Sequence, residues 1–144
     1  TWPCGNVKSD RLKLIEVTEQ SFFEGLKYAH PGNRLSDISH AIEMYAKKFN
    51  YGVVRDFTGH GVGSKLHEDP AVPNYGKEGM GPVLRKGMTL AIEPMINMGT
   101  YKVKILADGW TTITSDHSPS AHYENSIVIT DNGYEILTKI KEND

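Results

Sequence analysis

Gly59-His60-Gly61-Val62-Gly63-Ser64-Lys65-Leu66-His67-Glu68-Asp69-Pro70 is a glycine-rich turn holding two histidines, and the chain changes character at this point. Upstream of it the apolar residues recur at helical steps. Downstream they fall in short strand-like runs. Two of those runs each hold one isolated glutamate: Glu93 in Met88-Thr89-Leu90-Ala91-Ile92-Glu93-Pro94-Met95, and Glu124 in Ala121-His122-Tyr123-Glu124-Asn125-Ser126-Ile127-Val128-Ile129. A carboxylate inside an apolar strand is costly to bury unless it is paired or bound to a metal. Two such carboxylates and a glycine-flanked histidine make a metal site the leading explanation. Oxygen and imidazole donors without a thiolate favour manganese, iron, cobalt or zinc at a hydrolytic centre over a structural zinc knot.

Working outward, Lys8 to Ala29 reads as a helix with Leu12, Ile15, Phe22, Leu26 and Ala29 on one stripe. Ser9 is its expected N-cap, and Pro31-Gly32 ends it. Ser36 is the expected cap of a second helix to about Phe49, with Ile38, Ile42, Tyr45 and Phe49 on one face. Val53-Val54 and Phe57 lead into the glycine turn, and a polar, proline- and glycine-rich loop follows it. Thr89–Met98, Tyr101–Leu106, Trp110–Thr114, Ser126–Thr130 and Tyr134–Thr138 read as strands. Asp131-Asn132-Gly133 is a hairpin turn joining the last two. The expected architecture is α+β, with two helices packed on an antiparallel sheet in a single domain over residues 1–144.

Composition bounds the function. A chain of 144 residues can bury one core. A net charge of −2 gives no basic surface for nucleic acid. No apolar run reaches membrane-spanning length. Cys4 is the only cysteine, so no intrachain disulfide can form, and the cytoplasm is the simplest setting. Cys4 itself reads as an inert thiol near a chain end.

Four phrases in this order, GHGVGSKLHEDP, GMTLAIEPM, DGWTTIT at Asp108 to Thr114, and YENSIVIT, resemble the bacterial and organellar type of methionine aminopeptidase. The resemblance runs from about Val7 to Thr138. It implies one half of a pita-bread fold, in which two similar halves enclose a metal site. It also implies that the family's N-terminal half, with two aspartate ligands, is absent here. The implied activity is metal-assisted removal of the initiator methionine from the N-terminus of a nascent polypeptide, with two divalent ions (manganese, cobalt, iron or zinc).

The resemblance assigns His60, Glu93 and Glu124 as metal ligands. Glu93 is also the proton shuttle, and Glu124 bridges the two ions. His67 hydrogen-bonds substrate beside the scissile amide. Leu66 and Trp110 line the pocket for the methionine side chain, Leu66 standing where phenylalanine is common. From the residues alone, His60 reads equally as a locally hydrogen-bonded turn histidine, Glu124 as an exposed strand residue, and His67 as a surface-loop histidine. Trp110 has a second reading as a core residue. His40 is expected to face solvent. His122 reads as a structural histidine or as a support for Glu124.

Two other functions stand beside this one. A peptidase acting before proline would share the ligand pattern. A truncated half would serve as a non-catalytic binding or assembly module. An unpaired sheet edge and apolar flank would lead the chain to self-associate or to need its missing half. With three of five ligands, the chain alone is expected to be nearly inert.

Overall fold

The computed structural model describes residues 1–139. Two helices, α1 (Ser9–Leu26) and α2 (Leu35–Lys47), pack against each other and cover one side of the strands. The strands are β1 (Gly52–Val53), β2 (Gly59–Gly61), β3 (Glu68–Val72), β4 (Thr89–Ile92), β5 (Met95–Asn97), β6 (Val103–Ile105), β7 (Thr112–Thr114), β8 (Ser120–His122), β9 (Asn125–Ile129) and β10 (Tyr134–Ile136). Every named pairing is antiparallel. The α+β expectation holds, but the strands form three sheets rather than one: β10-β9-β4-β2-β3, β1-β5-β8, and the small hairpin β6-β7.

The buried face of α1 is Leu14, Val17, Thr18, Ser21, Phe22, Gly25 and Leu26. The expected stripe is therefore rotated, and Leu12 is 43% exposed. Three small or polar residues lie on the buried face, which disguised it in the sequence. Their burial is possible because Thr18 Oγ1 donates to the Leu14 carbonyl (2.8 Å) and Ser21 Oγ to that of Thr18 (2.7 Å). Gly25 marks the helix crossing. A Cβ there would stand 2.8 Å from Ile42 Cγ1, so the close approach requires glycine.

Helix α2 buries Leu35, Ile38, Ser39, Ile42, Glu43 and Ala46. Tyr45 and Phe49 pack on each other at its margin instead of entering the core, with ring centroids 5.5 Å apart. Glu43 is held by Lys47 (2.9 Å), the Gly76 amide (3.1 Å) and Arg55 (3.7 Å). Burial would raise its carboxyl, but the Lys47 and Gly76 contacts outweigh that and hold it below the usual carboxylate range. The caps also differ from expectation. Lys8 and Arg34 occupy the N-cap positions, and Ser36 exchanges hydrogen bonds with the Met80 backbone.

Two core regions fill the space between helices and sheets. Phe22, Leu26, Ile38, Ile42, Val72, Leu90, Ile92, Ile127 and Ile129 join both helices to the five-stranded sheet. Leu14, Ala46, Val53, Ile96 and Ala121 join them to the three-stranded one. The expected strand Thr89–Met98 is broken at Glu93-Pro94, because proline has no amide to continue the ladder. Strand β4 belongs to the larger sheet and β5 to the smaller. Strand β3 runs through Pro70, where the sequence suggests turn and loop. It survives as a strand because it lies on the sheet edge. Strand β8 was not anticipated, and together with β9 it repeats the passage from one sheet to the other.

The rotated α1 face makes a direct prediction. Leu14→Ala is expected to lower stability by about 2–5 kcal/mol, and Leu12→Ala by no more than about 0.5 kcal/mol, measured from urea unfolding midpoints. Equal losses at the two positions would mean that the helix is rotated from the arrangement described here.

Candidate metal centre

Both glutamates sit where the chain leaves one sheet and enters the other. Glu93 follows β4 and precedes β5; Glu124 follows β8 and precedes β9. The strands pair in register on both sides of this seam, Ile92 with Asn125 and Met95 with His122. Glu93-Pro94 therefore lies across from Tyr123-Glu124, and the Tyr123 amide donates to the Pro94 carbonyl (3.2 Å). The buried Asn74 amide fixes the Glu93 carbonyl at 3.1 Å.

His60 reaches the same place from β2, where it is paired with Ala91. Paired residues share a face, and so do residues two apart on a strand, which puts His60 beside Glu93. Its Nδ1 lies 2.8 Å from the Gly61 carbonyl. A carbonyl can only accept, so Nδ1 carries a proton, and in the neutral ring Nε2 keeps its lone pair. That lone pair faces Glu93 Oε1 at 3.7 Å.

One ligand atom from each of His60, Glu93 and Glu124 lies within 4.8 Å of the others. Atoms bound to one ion at about 2 Å can be at most about 4 Å apart, so closing the set around an ion needs a contraction of under about 1 Å. The donors fit a borderline divalent cation: a neutral imidazole of fixed tautomer and two carboxylates, with no sulfur. Glu93 and His60 are largely sheltered (16% and 12% side-chain exposure), whereas Glu124 opens to solvent at 43%.

His67 stacks obliquely on His60, with ring centroids 4.1 Å apart. Both border an open cleft of about 750 Å³ with Thr58, Ser64 and Lys65. Glu68 shapes that loop by accepting from the Lys65 amide (2.7 Å) and the Ser64 hydroxyl (3.0 Å). The Lys65 amide is the chief cause of its lowered carboxyl pKa.

Leu66 is 71% exposed and Trp110 is 89% exposed, so the core reading of Trp110 is excluded. Trp110 occupies the turn between β6 and β7. Asp116 ties down the base of that hairpin and is held at about 2, first by the Thr100 amide and then by Ser118. His40 does not face solvent as expected. It is partly buried, and its Nδ1 bonds the Gly76 carbonyl at 2.8 Å. His122 sits close to both glutamates, 3.3 Å from Glu93 and 3.9 Å from Glu124. Its place beside Tyr123-Glu124 was the one sequence signal for this.

The model of Metallopeptidase family M24 matches residues 1–131. A methionine aminopeptidase of Clostridium perfringens is 56% identical over 141 residues, covering 98% of this chain and 57% of that protein. The crystal structure of methionine aminopeptidase from Rickettsia prowazekii superposes with a TM-score of 0.92 at 45% identity, covering 94% of this chain and 55% of that one. Prolidase from Pyrococcus furiosus shares the fold, with a TM-score of 0.70 at 24% identity. The chain thus spans little more than half the length of the methionine aminopeptidases it matches.

Two outcomes test the geometry of the site. A Cβ at Gly59 would run into the Ala91 carbonyl, in backbone that cannot yield without moving β2 from β4. Gly59→Ala is therefore expected to lower both the melting temperature and manganese affinity although it changes no ligand; an unaltered titration curve would show that His60 is not held by this pairing. The second concerns pH. Because folding depresses the Asp116 pKa, its contribution is present above the ordinary carboxylate value and is lost as pH falls from about 4 to about 2. The stability gap between wild type and Asp116→Asn should narrow across that window in acid unfolding, and a gap independent of pH would count against the anchor.

Proposed function

The chain belongs to metallopeptidase family M24, and we propose that it forms the His60–Glu93–Glu124 side of a centre that removes the initiator methionine from nascent polypeptides. The carrying observation is the convergence of those three ligand atoms from separate segments, with His67 against His60. His60 Nε2, Glu93 and Glu124 would hold divalent cations, manganese, iron, cobalt or zinc by the donor set. When bound, such cations polarise the amide carbonyl and acidify water.

The chain's own residues do the rest. Glu93, sheltered beside the cleft, accepts the proton of the attacking water and returns it to the leaving amine. His67 donates to the carbonyl oxygen as charge develops there. Trp110 and Leu66 offer exposed apolar surface to the methionine side chain. Specificity for methionine over a peptide with proline in second position is supported by the 56% identity to the Clostridium protein, whereas the likeness to the prolidase extends only to the fold. A nascent-chain substrate is the support for a cytoplasmic setting.

Three protein donors do not complete a two-ion site. We infer that two aspartates outside these 144 residues complete it, and that the chain by itself self-associates or needs the half that carries them. The 144-residue chain is expected to cleave a methionyl-alanyl peptide in manganese or cobalt at least about 10²-fold more slowly than the completed protein, since roughly 1 Å of misplacement alone can cost that much. Adding the completing half as a separate polypeptide should restore cleavage, and Glu93→Ala should abolish it. Full activity from the 144-residue chain, lost on Glu93→Ala, would show the other ligands to be dispensable. Preferential cleavage of Xaa-prolyl peptides would overturn the substrate.

A further inference from the structure

The Glu93 carboxylate is bracketed by two imidazoles, one facing each oxygen. His60 Nε2 faces Oε1 at 3.7 Å, and His122 Nε2 faces Oε2 at 3.3 Å. The two rings are not equivalent. His60 Nδ1–H is committed to the Gly61 carbonyl, so in the neutral ring its inward nitrogen is a lone pair. The inward nitrogen of His122 is buried and has no hydrogen-bond partner, although 43% of the side chain is exposed. Its contact with Glu93 is 3.3 Å long but makes no hydrogen bond. A buried polar atom aimed between two carboxylates without a bond is unfavourable, and a small ring rotation would satisfy it.

The backbone of His122 is fixed on both sides. It is paired with Met95 across β5, and its amide donates to the Thr1 hydroxyl oxygen at 2.9 Å. The ring is thus delivered to Glu93 by the same ladder that sets Glu93-Pro94 across from Tyr123-Glu124. Resting on the metal reading above, we propose that His122 is a positioning residue of this centre. With Nε2 protonated it donates to Glu93 Oε2, and Glu124 Oε2, 3.9 Å away, is the alternative acceptor. Holding one oxygen of Glu93 leaves the other turned to His60, with which it would hold a divalent cation. An anchored carboxylate loses less freedom when it coordinates, and a ligand without its anchor binds more weakly.

The test is titration of the protein with manganese(II) alone, followed by the electron paramagnetic resonance of the free ion, with the metal-free melting temperature measured alongside. His122→Ala is expected to weaken manganese binding by about 10- to 100-fold, the usual effect of removing such a partner. His122→Gln keeps an N–H donor and should recover most of the affinity, and the metal-free melting temperatures of both variants should match wild type. Wild-type affinity in His122→Ala overturns this inference and leaves the metal centre standing. An equal loss in His122→Gln and His122→Ala also overturns it, because the imidazole nitrogen would then be a direct ligand. So does a fall in metal-free melting temperature that tracks the affinity. Failure of the wild-type protein to bind manganese at all overturns the metal centre and this inference together.

Discussion

The site depends on one constraint, the antiparallel register on both sides of the seam between the two larger sheets. Ile92 pairs with Asn125 on one side and Met95 with His122 on the other. Between those pairs the ladder is interrupted by Pro94, which accepts from Tyr123 but has no amide to donate. The interruption releases Glu93 and Glu124 from regular strand geometry while the flanking pairs keep them opposite each other. A slip of one residue in either ladder would reverse the face of every side chain in that strand. Slipping is opposed by the alternation of buried Leu90 and Ile92, and of Ile127 and Ile129, which point into the main core. The energy that holds the carboxylates together is therefore hydrophobic and lies mostly outside the site.

That division of labour explains what could be read from the sequence. His60, Glu93 and Glu124 stand out in the sequence because each is chemically out of place, a histidine among glycines and carboxylates in apolar runs; for His60 and Glu124 it is the family resemblance, not that signal, that favours a ligand over a turn histidine or an exposed strand residue. The two helices and the Asp131-Asn132-Gly133 hairpin were legible from period and turn chemistry. Misreadings arose where tertiary contacts override local pattern. Thr18, Ser21 and Glu43 are buried because each finds hydrogen-bond or ion-pair partners, and a hydropathy stripe counts them as surface. His40 was assigned to solvent for the same reason, since its partner Gly76 lies in a distant loop. Pro70 hid an edge strand, and Thr89–Met98 looked like one strand because residues on both sides of Pro94 are equally apolar.

Charge sets the remaining limit on this candidate site. Glu93 and Glu124 carry two negative charges, and His60 must be neutral to offer Nε2. One dication would balance the set. A second, a few ångströms away, would repel the first, and two unit charges 4 Å apart already interact by about 4 kcal/mol at a dielectric near 20. Doubly charged ions multiply that several-fold, so close pairing needs added carboxylates. His122 contributes a hydrogen-bond donor and no negative charge, so it can orient Glu93 but cannot replace a missing acid. Glu124 is open to solvent beside the guarded Glu93 and offers the accessible side of the set. On the proposed metal reading, the two carboxylates and the imidazole, positioned by a hydrophobic ladder, would balance a single dication.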